Sequence, residues 1–516
     1  MTLTPRRRLV LIGALVVVWA IGRAGLSGVV NTSGASAFQR FWRSALSPDL
    51  SADFLSLTIE ATATTAAFAV LGSALALLIG VAGALAISER AMGTGWLRRA
   101  AEVVATVPRA VHEILVALLL IQVLGFDPMV AVIAIGVPFG AVTAKVYADA
   151  LDDADRSAYD GLRASGVGRL TAVAYGLVPL VRGEFVSYAF YRFECAIRSA
   201  AVLGIVGVGG LGFQLDISFE SLRYDEIWTL IFALMLLSGT ADAVSSWVRG
   251  PSGPSDGGRW FPVVAAVGVA WSWWQVGLDV SVLWSARTLE RGPELLRDLF
   301  PPELGPGGWT ELWSATVDTM SLVVVAVVVA ALFGFVGAAV VRRPVIDKRS
   351  GLSAVGDGFR IVVGRLVLLT ARAVPAPVWA FLFVLVLYPG IWPGAVALGV
   401  YNAGVLGRLY AEAIESQPPE PERAAALAGA GRWTRWAYGV IPGAAPRLVS
   451  LTVYRSEVMV RETIVIGVVG AGGLGQLLRD HLVARDFGAV MGVVIVLIVL
   501  AIAADALGRV IRRVLR

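Results

Sequence analysis

Residues that bind metals or form disulfides are almost missing from this chain of 516 residues. It contains one cysteine, Cys195, and two histidines, His112 and His481. A disulfide framework needs cysteine pairs, and a structural zinc site needs several Cys or His ligands. The sequence therefore excludes a disulfide scaffold and any metal site of that kind.

Charge is also scarce. Only 16% of the residues are charged, whereas an average soluble domain has about 25%, and the mean hydropathy is +0.75. Lys145 and Lys348 are the only lysines, so the net charge of +5 is carried by arginine. The arginines cluster at the ends of apolar runs, which indicates orientation in a membrane rather than nucleic-acid binding. We therefore predict an integral protein of the lipid bilayer with no nucleic-acid partner.

Motifs for catalysis are missing as well. No segment matches G-x-x-x-x-G-K-[ST], the loop that binds nucleotide phosphates, and neither lysine follows a glycine-rich loop. No paired His, Cys or Ser arrangement suits nucleophilic catalysis. We predict that the chain is not an enzyme, has no catalytic residue and carries no cofactor of its own.

Long apolar runs dominate what is present. A membrane helix needs about 20 mostly apolar residues, and we predict twelve such spans, with all-α structure. Their approximate limits are 9–30, 56–88, 101–125, 129–149, 180–206, 226–248, 260–284, 314–341, 361–388, 392–413, 445–469 and 487–509. The first run follows Arg6, Arg7 and Arg8 without a clear cleavage site, so we interpret it as a retained helix rather than a signal peptide.

The distribution of basic residues predicts the orientation. With a cytoplasmic amino terminus, the arginine clusters between spans fall on the cytoplasmic side, as the positive-inside rule requires. We therefore predict that both termini are cytoplasmic. The opposite side receives the longer segments 31–55 and 285–312, which we interpret as outward-facing amphipathic caps. Aromatic residues that favour the membrane interface lie in these segments or directly beside them: Phe41, Trp42, Trp309 and Trp313.

The chain contains an internal repeat with a constant shift of 263 residues, the difference between 410 and 147. Tyr147 and Asp149 return as Tyr410 and Glu412, and the register continues without a gap. Six spans separate equivalent positions, so the repeats enter the membrane in the same direction and form a parallel pseudo-twofold pair. A polar Gly-Pro-Ser stretch separates them. We predict a first unit at 1–250, a cytoplasmic linker at 251–259 and a second unit at 260–516.

A long cytoplasmic loop precedes the fifth span of each repeat. Each loop has a glycine followed thirteen positions later by a proline, and helix-forming residues stand just before the glycine. This pattern predicts a short helix, a turn and then the next span. Loops of this length are usually functional. The positions that we single out are Asp160, Arg163, Gly166 and Pro179, then Glu422, Gly429, Arg432 and Pro442.

The fifth span of each repeat carries charges, which are expensive inside a membrane and usually face a partner or a water-filled path. Residues four apart on one helical face can pair. One interpretation is that these charges only hold helices together. The other is that the arginines, brought together around the pseudo-twofold axis, attract an anion that their planar forks bind. The candidate path residues are Arg192, Glu194, Arg198, Arg455, Glu457 and Arg461.

Glycines follow each charged span. Both runs match G-x-G-x-x-G, but a dinucleotide site would need a preceding strand. We predict a sharp turn and close helix approach at the outer end of the path, where a gate could sit, with simple helix packing as the alternative. The positions are Gly207, Gly209, Gly210 and Gly212, then Gly470, Gly472, Gly473 and Gly475.

The cytoplasmic loops resemble the coupling loops of bacterial ABC importer permeases, whose pattern is Glu-Ala-Ala, three residues, Gly, nine residues and an apolar stretch ending in Pro. Asp160 stands at the acidic position in the first copy, whereas the second has Arg423 there with Glu422 beside it. Gly176 and Gly439 replace the usual isoleucine.

The run from Tyr191 to Gly212 is similar to permeases of phosphonate importers, as is 403–412. The resemblance implies two parallel six-helix repeats of the type I ABC importer permease (MetI-like) kind, fused in tandem in a bacterial cytoplasmic (inner) membrane. It also implies two cytoplasmic ABC ATPase subunits that hold ATP and Mg, an extracytoplasmic solute-binding protein, and transport of phosphonate or a related phosphate-like oxyanion by alternating access.

Three alternatives stay open at this point. Two six-span halves also suit a secondary transporter, although the paired loops and the missing second acidic constellation argue against it. A membrane scaffold would have little use for equivalent charged spans. Within the importer interpretation, the solute could be another small molecule.

Overall fold

A computed structural model describes residues 5–25, 29–249, 261–342, 352–388, 390–468, 470 and 472–515. The predicted linker at 251–259 lies outside these residues. Within them the backbone is helical apart from short connections and one isolated antiparallel bridge, Val30 to Leu387. The prediction of an all-α membrane fold is confirmed.

The first twelve α-helices in chain order are α1 (Pro5–Ala24), α2 (Ala35–Ser44), α3 (Ala52–Ile87), α4 (Glu89–Met92), α5 (Trp96–Ala110), α6 (Glu113–Leu124), α7 (Pro128–Asp153), α8 (Ser157–Ala164), α9 (Arg169–Ala172), α10 (Val178–Leu203), α11 (Leu211–Glu220) and α12 (Tyr224–Arg249). The remaining described α-helices are α13 (Phe261–Val276), α14 (Ala286–Asp298), α15 (Gly308–Val341), α16 (Leu352–Ala373), α17 (Ala376–Val386), α18 (Ile391–Glu415), α19 (Glu420–Leu427), α20 (Arg432–Arg435), α21 (Ile441–Val468), α22 (Gly473–Ala484) and α23 (Phe487–Leu515).

Each of the twelve predicted apolar segments coincides with a helix or with a bent helix pair. By length and hydropathy, five of the described helices could cross a membrane: α3, α7, α12, α15 and α23. The number rises to nine if each bent pair counts as one span, and two shorter apolar helices lie within α1 and α13.

Two predicted spans are sharply bent rather than continuous. Helices α5 and α6 replace the span at 101–125 and meet at 89°, and α16 and α17 replace the span at 361–388 and meet at 96°. At the first break Val111 is extended, and the His112 Nδ1 accepts the Ile114 N–H at 3.3 Å to start the next helix. At the second break Pro375 disfavours helical geometry in the preceding residue. An apolar run alone does not reveal such breaks.

The chain divides into two compact units, a first unit (Phe41–Asp298) and a second unit (Met1–Arg40 with Leu299–Arg516). They differ from the predicted sequence repeats because α13 belongs to the first unit, where it packs on α3, and α1 belongs to the second, where it packs on α15. Arg23 at the end of α1 forms a 2.9 Å ion pair with Asp318 on α15.

Small residues bring the central helices of each unit together. In the first unit α3 packs along α7, and a Cβ added at Gly72 would lie 2.8 Å from the Ile135 side chain. In the second unit α15 packs along α18, where a Cβ at Gly399 would lie 2.5 Å from the Val329 side chain. Such close approach is how membrane helices gain van der Waals contact in the absence of a hydrophobic driving force.

The predicted amphipathic caps contain helices α2 and α14. Of the aromatic residues expected at the interface, Trp309 and Trp313 are exposed, whereas Phe41 is only 2% exposed. Its ring packs in the first unit against Trp228, with ring centroids 5.2 Å apart, and its carbonyl accepts the Trp228 indole N–H. Phe41 is therefore a core residue of the first unit, whereas a position at the membrane interface stays a prediction for all four aromatic residues.

Candidate functional site

The first of the two predicted cytoplasmic loops is an ordered helical hairpin. Helix α8 ends at Ala164, and Gly166 follows with a φ of +83°, which suits glycine. The Val167 N–H reaches back to the Leu162 carbonyl at 3.1 Å, and the Arg163 Nη1 donates to the Val167 carbonyl at 2.5 Å. After α9, a π-helical turn, Val173–Leu177, leads directly into α10. The short helix and the glycine turn agree with the sequence pattern.

The second loop repeats this geometry. Helix α19 ends at Leu427, Gly429 follows with φ +77°, and the Ala430 N–H donates to the Ala425 carbonyl at 3.0 Å. Helix α20 begins at Arg432 and continues through a second π-helical turn, Trp436–Val440, into α21. Pro179 and Pro442 occupy the second residue of α10 and α21, where a missing N–H costs no helical hydrogen bond.

The glycines at the usual isoleucine position have a structural reason in both loops. A Cβ added at Gly176 would lie 3.1 Å from the Tyr159 Cα on α8, and one at Gly439 would lie 3.0 Å from the Glu422 Cα on α19. The π-helical turn therefore contacts the backbone of the loop helix directly. This contact replaces the side-chain contact that an isoleucine would make.

The first loop is attached to α4, the short helix that follows α3. The Tyr159 hydroxyl donates to the Arg90 carbonyl at 2.8 Å, and the Arg169 Nη1 donates to the Met92 carbonyl at 3.1 Å. Asp152, at the end of α7, accepts from the Ser88 hydroxyl at 2.6 Å. The loop helix is thus connected to the helices that form the centre of its unit, whereas Asp160 is exposed.

The second loop is attached by charge. The Glu422 carboxylate on α19 pairs with the Arg342 guanidinium after α15, and both side chains are largely buried, at 12% and 7% exposed. The same guanidinium lies over the Trp436 ring, 5.6 Å from its centroid. Glu422 therefore faces its own unit, whereas Arg423 is exposed.

Both loops expose large apolar side chains at equivalent positions. Leu170 and Tyr175 in the first loop are 57% and 76% exposed, and Trp433 and Tyr438 in the second are 83% and 78% exposed. Sequence reasoning missed these residues, although the shift of 263 matches them pairwise. Large exposed apolar groups at one end of a unit mark an interaction surface.

The charged helix of the first unit is α10. Glu194 pairs with Arg198 at 3.3 Å, as the i,i+4 spacing predicts. The Arg192 Nε donates to the Tyr188 hydroxyl at 2.8 Å, and its guanidinium lies over the rings of Phe139 and Tyr188, 4.8 and 5.2 Å from the centroids. Arg192 and Arg198 therefore have different surroundings.

The charged helix of the second unit is α21, and its pairing differs from the prediction. The Glu457 carboxylate accepts from the Arg512 Nη1 at 2.5 Å, so it pairs with α23 rather than with Arg461. Within the described residues Arg461 forms no ion pair. Arg455 instead pairs with Glu462 at 3.1 Å. The i,i+4 prediction was wrong here because α23 brings a second arginine to the carboxylate.

Three residues of these networks escaped sequence reasoning. Asn402 on α18 accepts from the Arg455 Nε at 2.8 Å, and its amide donates to Glu462 at 2.9 Å. In the first unit, Glu113 at the start of α6 accepts from the Ser199 hydroxyl. The shift of 263 aligns Asn402 with Phe139 and Glu462 with Ser199. A comparison of the two repeats would have shown that an amide and a carboxylate stand at these positions in the second repeat alone.

The glycine runs form sharp turns, as predicted. Six of the predicted positions have positive φ, and they are Gly207, Gly209, Gly210, Gly470, Gly472 and Gly473. After the first turn, α11 is bent by 54° from α10. The start of the next helix is held from the central helix in both units, because Thr65 accepts the N–H of Leu211, the first residue of α11, and Thr319 accepts the N–H of Leu474, the second residue of α22, each at 2.8 Å.

Two further glycines allow close backbone contact. A Cβ at Gly212 would lie 1.8 Å from the Ala201 carbonyl oxygen, and one at Gly475 would lie 2.8 Å from the Gly467 Cα. The backbones of the helices before and after the turn are therefore in contact, α10 with α11 in the first unit and α21 with α22 in the second. A gate at this position stays a prediction.

Each repeat thus has a charged helix that is preceded by an anchored hairpin and followed by a glycine turn, the arrangement expected of a membrane permease built from two repeats. The chain belongs to the family of binding-protein-dependent transport system inner membrane components, whose model matches residues 72–250 and 355–516. The match occurs once in each repeat, so the tandem arrangement of two permease repeats is confirmed.

Characterised relatives carry related names. The chain is 27% identical over 457 residues to the phosphate-import permease protein PhnE of Mycolicibacterium smegmatis, covering 87% of this chain and 84% of that protein. It is 29% identical over 235 residues to the phosphite transport system permease protein PtxC of Stutzerimonas stutzeri, covering 46% and 84%. The putative phosphite permease HtxE of that organism is 31% identical over 141 residues, covering 27% and 54%. No solved structure matches the chain.

Proposed function

We propose that the chain is the permease of an ATP-binding-cassette importer that moves phosphonate or a related phosphate-like oxyanion across the bacterial cytoplasmic membrane. Transport proceeds by alternating access, and both termini are cytoplasmic. The observation that carries the proposal is the duplicated cytoplasmic hairpin, anchored to each unit and presenting exposed apolar side chains. The names of the relatives, which refer to phosphate, phosphite and phosphonate, support the solute class.

In this proposal each hairpin docks on one cytoplasmic ATPase subunit, which supplies the ATP and Mg²⁺ chemistry. Trp433 and Tyr438 in one hairpin, and Leu170 and Tyr175 in the other, provide the apolar surface that such docking would bury. Aromatic residues of this kind contribute strongly at protein interfaces. Because the hairpins continue through π-helical turns into α10 and α21, movement of an ATPase subunit is passed to the charged helices without an intervening flexible segment.

The charged helices suit an oxyanion. Arginine presents planar N–H donors that can bind two oxygens of a phosphate-like group at once. Partial neutralisation of Arg198 by Glu194 keeps the binding weak enough for release, as conduction requires. An extracytoplasmic solute-binding protein delivers the anion to the outer side.

The test is affinity purification of the chain from its native membrane, with identification of the co-purifying subunits and an assay of ATP hydrolysis. We expect two ATPase copies per chain, with hydrolysis stimulated by the loaded binding protein. The assay compares a phosphonate, phosphite and phosphate with an amino acid as the control solute. A chain that transports without an ATPase partner would overturn the proposal in favour of a secondary transporter.

A further inference from the structure

Arg192 and Arg455 occupy equivalent positions in the two repeats, but the structure gives them opposite surroundings. Both stand on the helix that follows the cytoplasmic hairpin, and the shift of 263 aligns them. Arg455 is surrounded by hydrogen-bond acceptors, whereas Arg192 is surrounded by aromatic rings.

The guanidinium of Arg455 is already occupied. Its Nε donates to the Asn402 Oδ1 at 2.8 Å, and its Nη2 contacts both Asn402 and the Glu462 Oε1, the latter at 3.1 Å. Asn402 also donates to Glu462, which closes the network. Arg455 is only 8% exposed, and its charge is neutralised within the helix pair. Such a network stabilises packing and leaves a diffusing anion little to bind.

Arg192 has none of these acceptors, because Phe139 stands where the second repeat has Asn402 and Ser199 stands where it has Glu462. Ser199 is itself bonded to Glu113. Within the described residues, the only hydrogen bond of Arg192 joins its Nε to the Tyr188 hydroxyl, and no carboxylate lies within ion-pair distance.

Aromatic rings hold the Arg192 guanidinium in place. The rings of Phe139, Tyr188 and Tyr191 lie 4.8, 5.2 and 6.0 Å from its central carbon. A cation is attracted by the face of an aromatic ring, and this contact does not consume the N–H donors at the edge of the guanidinium plane. Neither Nη1 nor Nη2 is buried without a partner. Arg192 as a whole is partly buried. The edge with two nitrogens is therefore held in direction by the rings, and no protein acceptor among the described residues uses it.

We infer that Arg192 is the oxyanion-binding residue of the first unit and that Arg455 is a structural residue. The inference rests on the proposed function, which supplies the class of solute. The fixed guanidinium edge matches two oxygens of a tetrahedral phosphorus oxyanion, and the rings keep the arginine positioned while the site is empty. Equivalent arginines therefore have different roles in the two repeats, anion binding for Arg192 and helix packing for Arg455.

The other two arginines suit this role less well. Arg198 already pairs with Glu194. Arg461 has no ion pair among the described residues, but no ring contact or hydrogen bond there fixes the direction of its guanidinium.

The test uses the whole complex, with ATPase subunits and binding protein, reconstituted in proteoliposomes. Uptake of phosphonate, phosphite and phosphate is measured per assembled complex and per ATP hydrolysed. For Arg192→Gln we expect uptake per ATP to fall at least about tenfold, as the loss of a charged hydrogen bond predicts, with partial recovery in Arg192→Lys. For Arg455→Gln we expect a lower melting temperature and less assembled complex, with transport by the remaining complex largely retained.

A second pair of variants tests the site without removing its arginine. Phe139→Asn introduces the acceptor that Arg455 has in Asn402, and we expect it to reduce uptake per ATP. Phe139→Leu removes the ring but adds no acceptor and should reduce uptake less. Transport by Arg192→Gln at the wild-type rate, or equal effects of the two Phe139 variants, would overturn the inference alone. A wild-type complex that moves none of the three anions would overturn the proposed function, and this inference with it.

Discussion

Glu422 and Arg342 form a largely buried ion pair that attaches the second hairpin to the end of α15. Glu422 lies next to the position where related coupling loops carry their acidic residue. Glu422 therefore has a structural role: its carboxylate holds α19 against its own unit and does not face a partner protein.

Removal of this carboxylate should destabilise the protein. Glu422→Ala leaves the Arg342 charge buried and unpaired, and we expect a loss of about 3 to 5 kcal/mol in the free energy of unfolding. Thermal or denaturant unfolding of the purified chain measures it. Arg423→Ala, at the exposed neighbouring residue, is the control and should change little. A Glu422→Ala variant as stable as the control would mean that the pair contributes nothing.

Restoring the isoleucine of related loops should damage this protein. In Gly439→Ile the new Cβ would meet the Glu422 backbone at 3.0 Å, so α19 must move away from the π-helical turn. We expect severalfold weaker stimulation of ATP hydrolysis by the loaded binding protein. Gly431→Ala is the matched control, because a Cβ there has no atom within 4 Å. Equal stimulation in both variants would contradict the proposed tight contact.

Proline at the hairpin glycines should uncouple hydrolysis from transport. Gly166 and Gly429 have φ of +83° and +77°, whereas proline requires about −65°. Each glycine N–H also donates to a helix carbonyl. We therefore expect Gly166→Pro or Gly429→Pro to lower the number of anions imported per ATP severalfold. The control is Gly161→Ala, at a position with open space around it. Unchanged coupling would show that these turns do not transmit the movement.

The exposed aromatic residues of the second hairpin should carry the affinity for the ATPase subunit. For Trp433→Ala combined with Tyr438→Ala we expect about tenfold weaker binding or more, as for interface hot spots. The melting temperature of the chain alone should stay the same, because both side chains are exposed. Trp309→Ala removes a similarly exposed tryptophan outside the hairpin and serves as the control. If the control weakened binding as much, the effect would not be specific to the hairpin.

Local patterns predicted the repeated features well. The register of 263 residues identifies both hairpins, and the position of Gly166 after a helix-forming run predicts its turn. The glycine runs likewise predict sharp bends. In each case the chemistry of one residue, the freedom of glycine at positive φ, determines the local backbone.

Features that depend on distant partners could not be predicted. The sequence around Glu457 favours a pair with Arg461, and only the packing of α23 reveals Arg512. The break at His112 lies within a predicted span whose Pro108, Arg109 and Glu113 interrupt the apolar run, but a criterion of length and hydropathy alone passes over them. Helices α1 and α13 are apolar on most sides, so their sequences do not indicate which helix each one packs against.

The placement of α1 and α13 has a consequence for biosynthesis. Helix α1 precedes the first unit in the chain but packs in the second unit, on α15, which is translated only after residue 298. It therefore has to stay in the lipid without that partner while the first unit is synthesised. The gene cannot be cut between the repeats to give two self-sufficient products, because each product would lack a helix that its unit uses. Co-expressed halves would have to exchange these helices to assemble, and the covalent fusion ensures that the two are made in equal amounts.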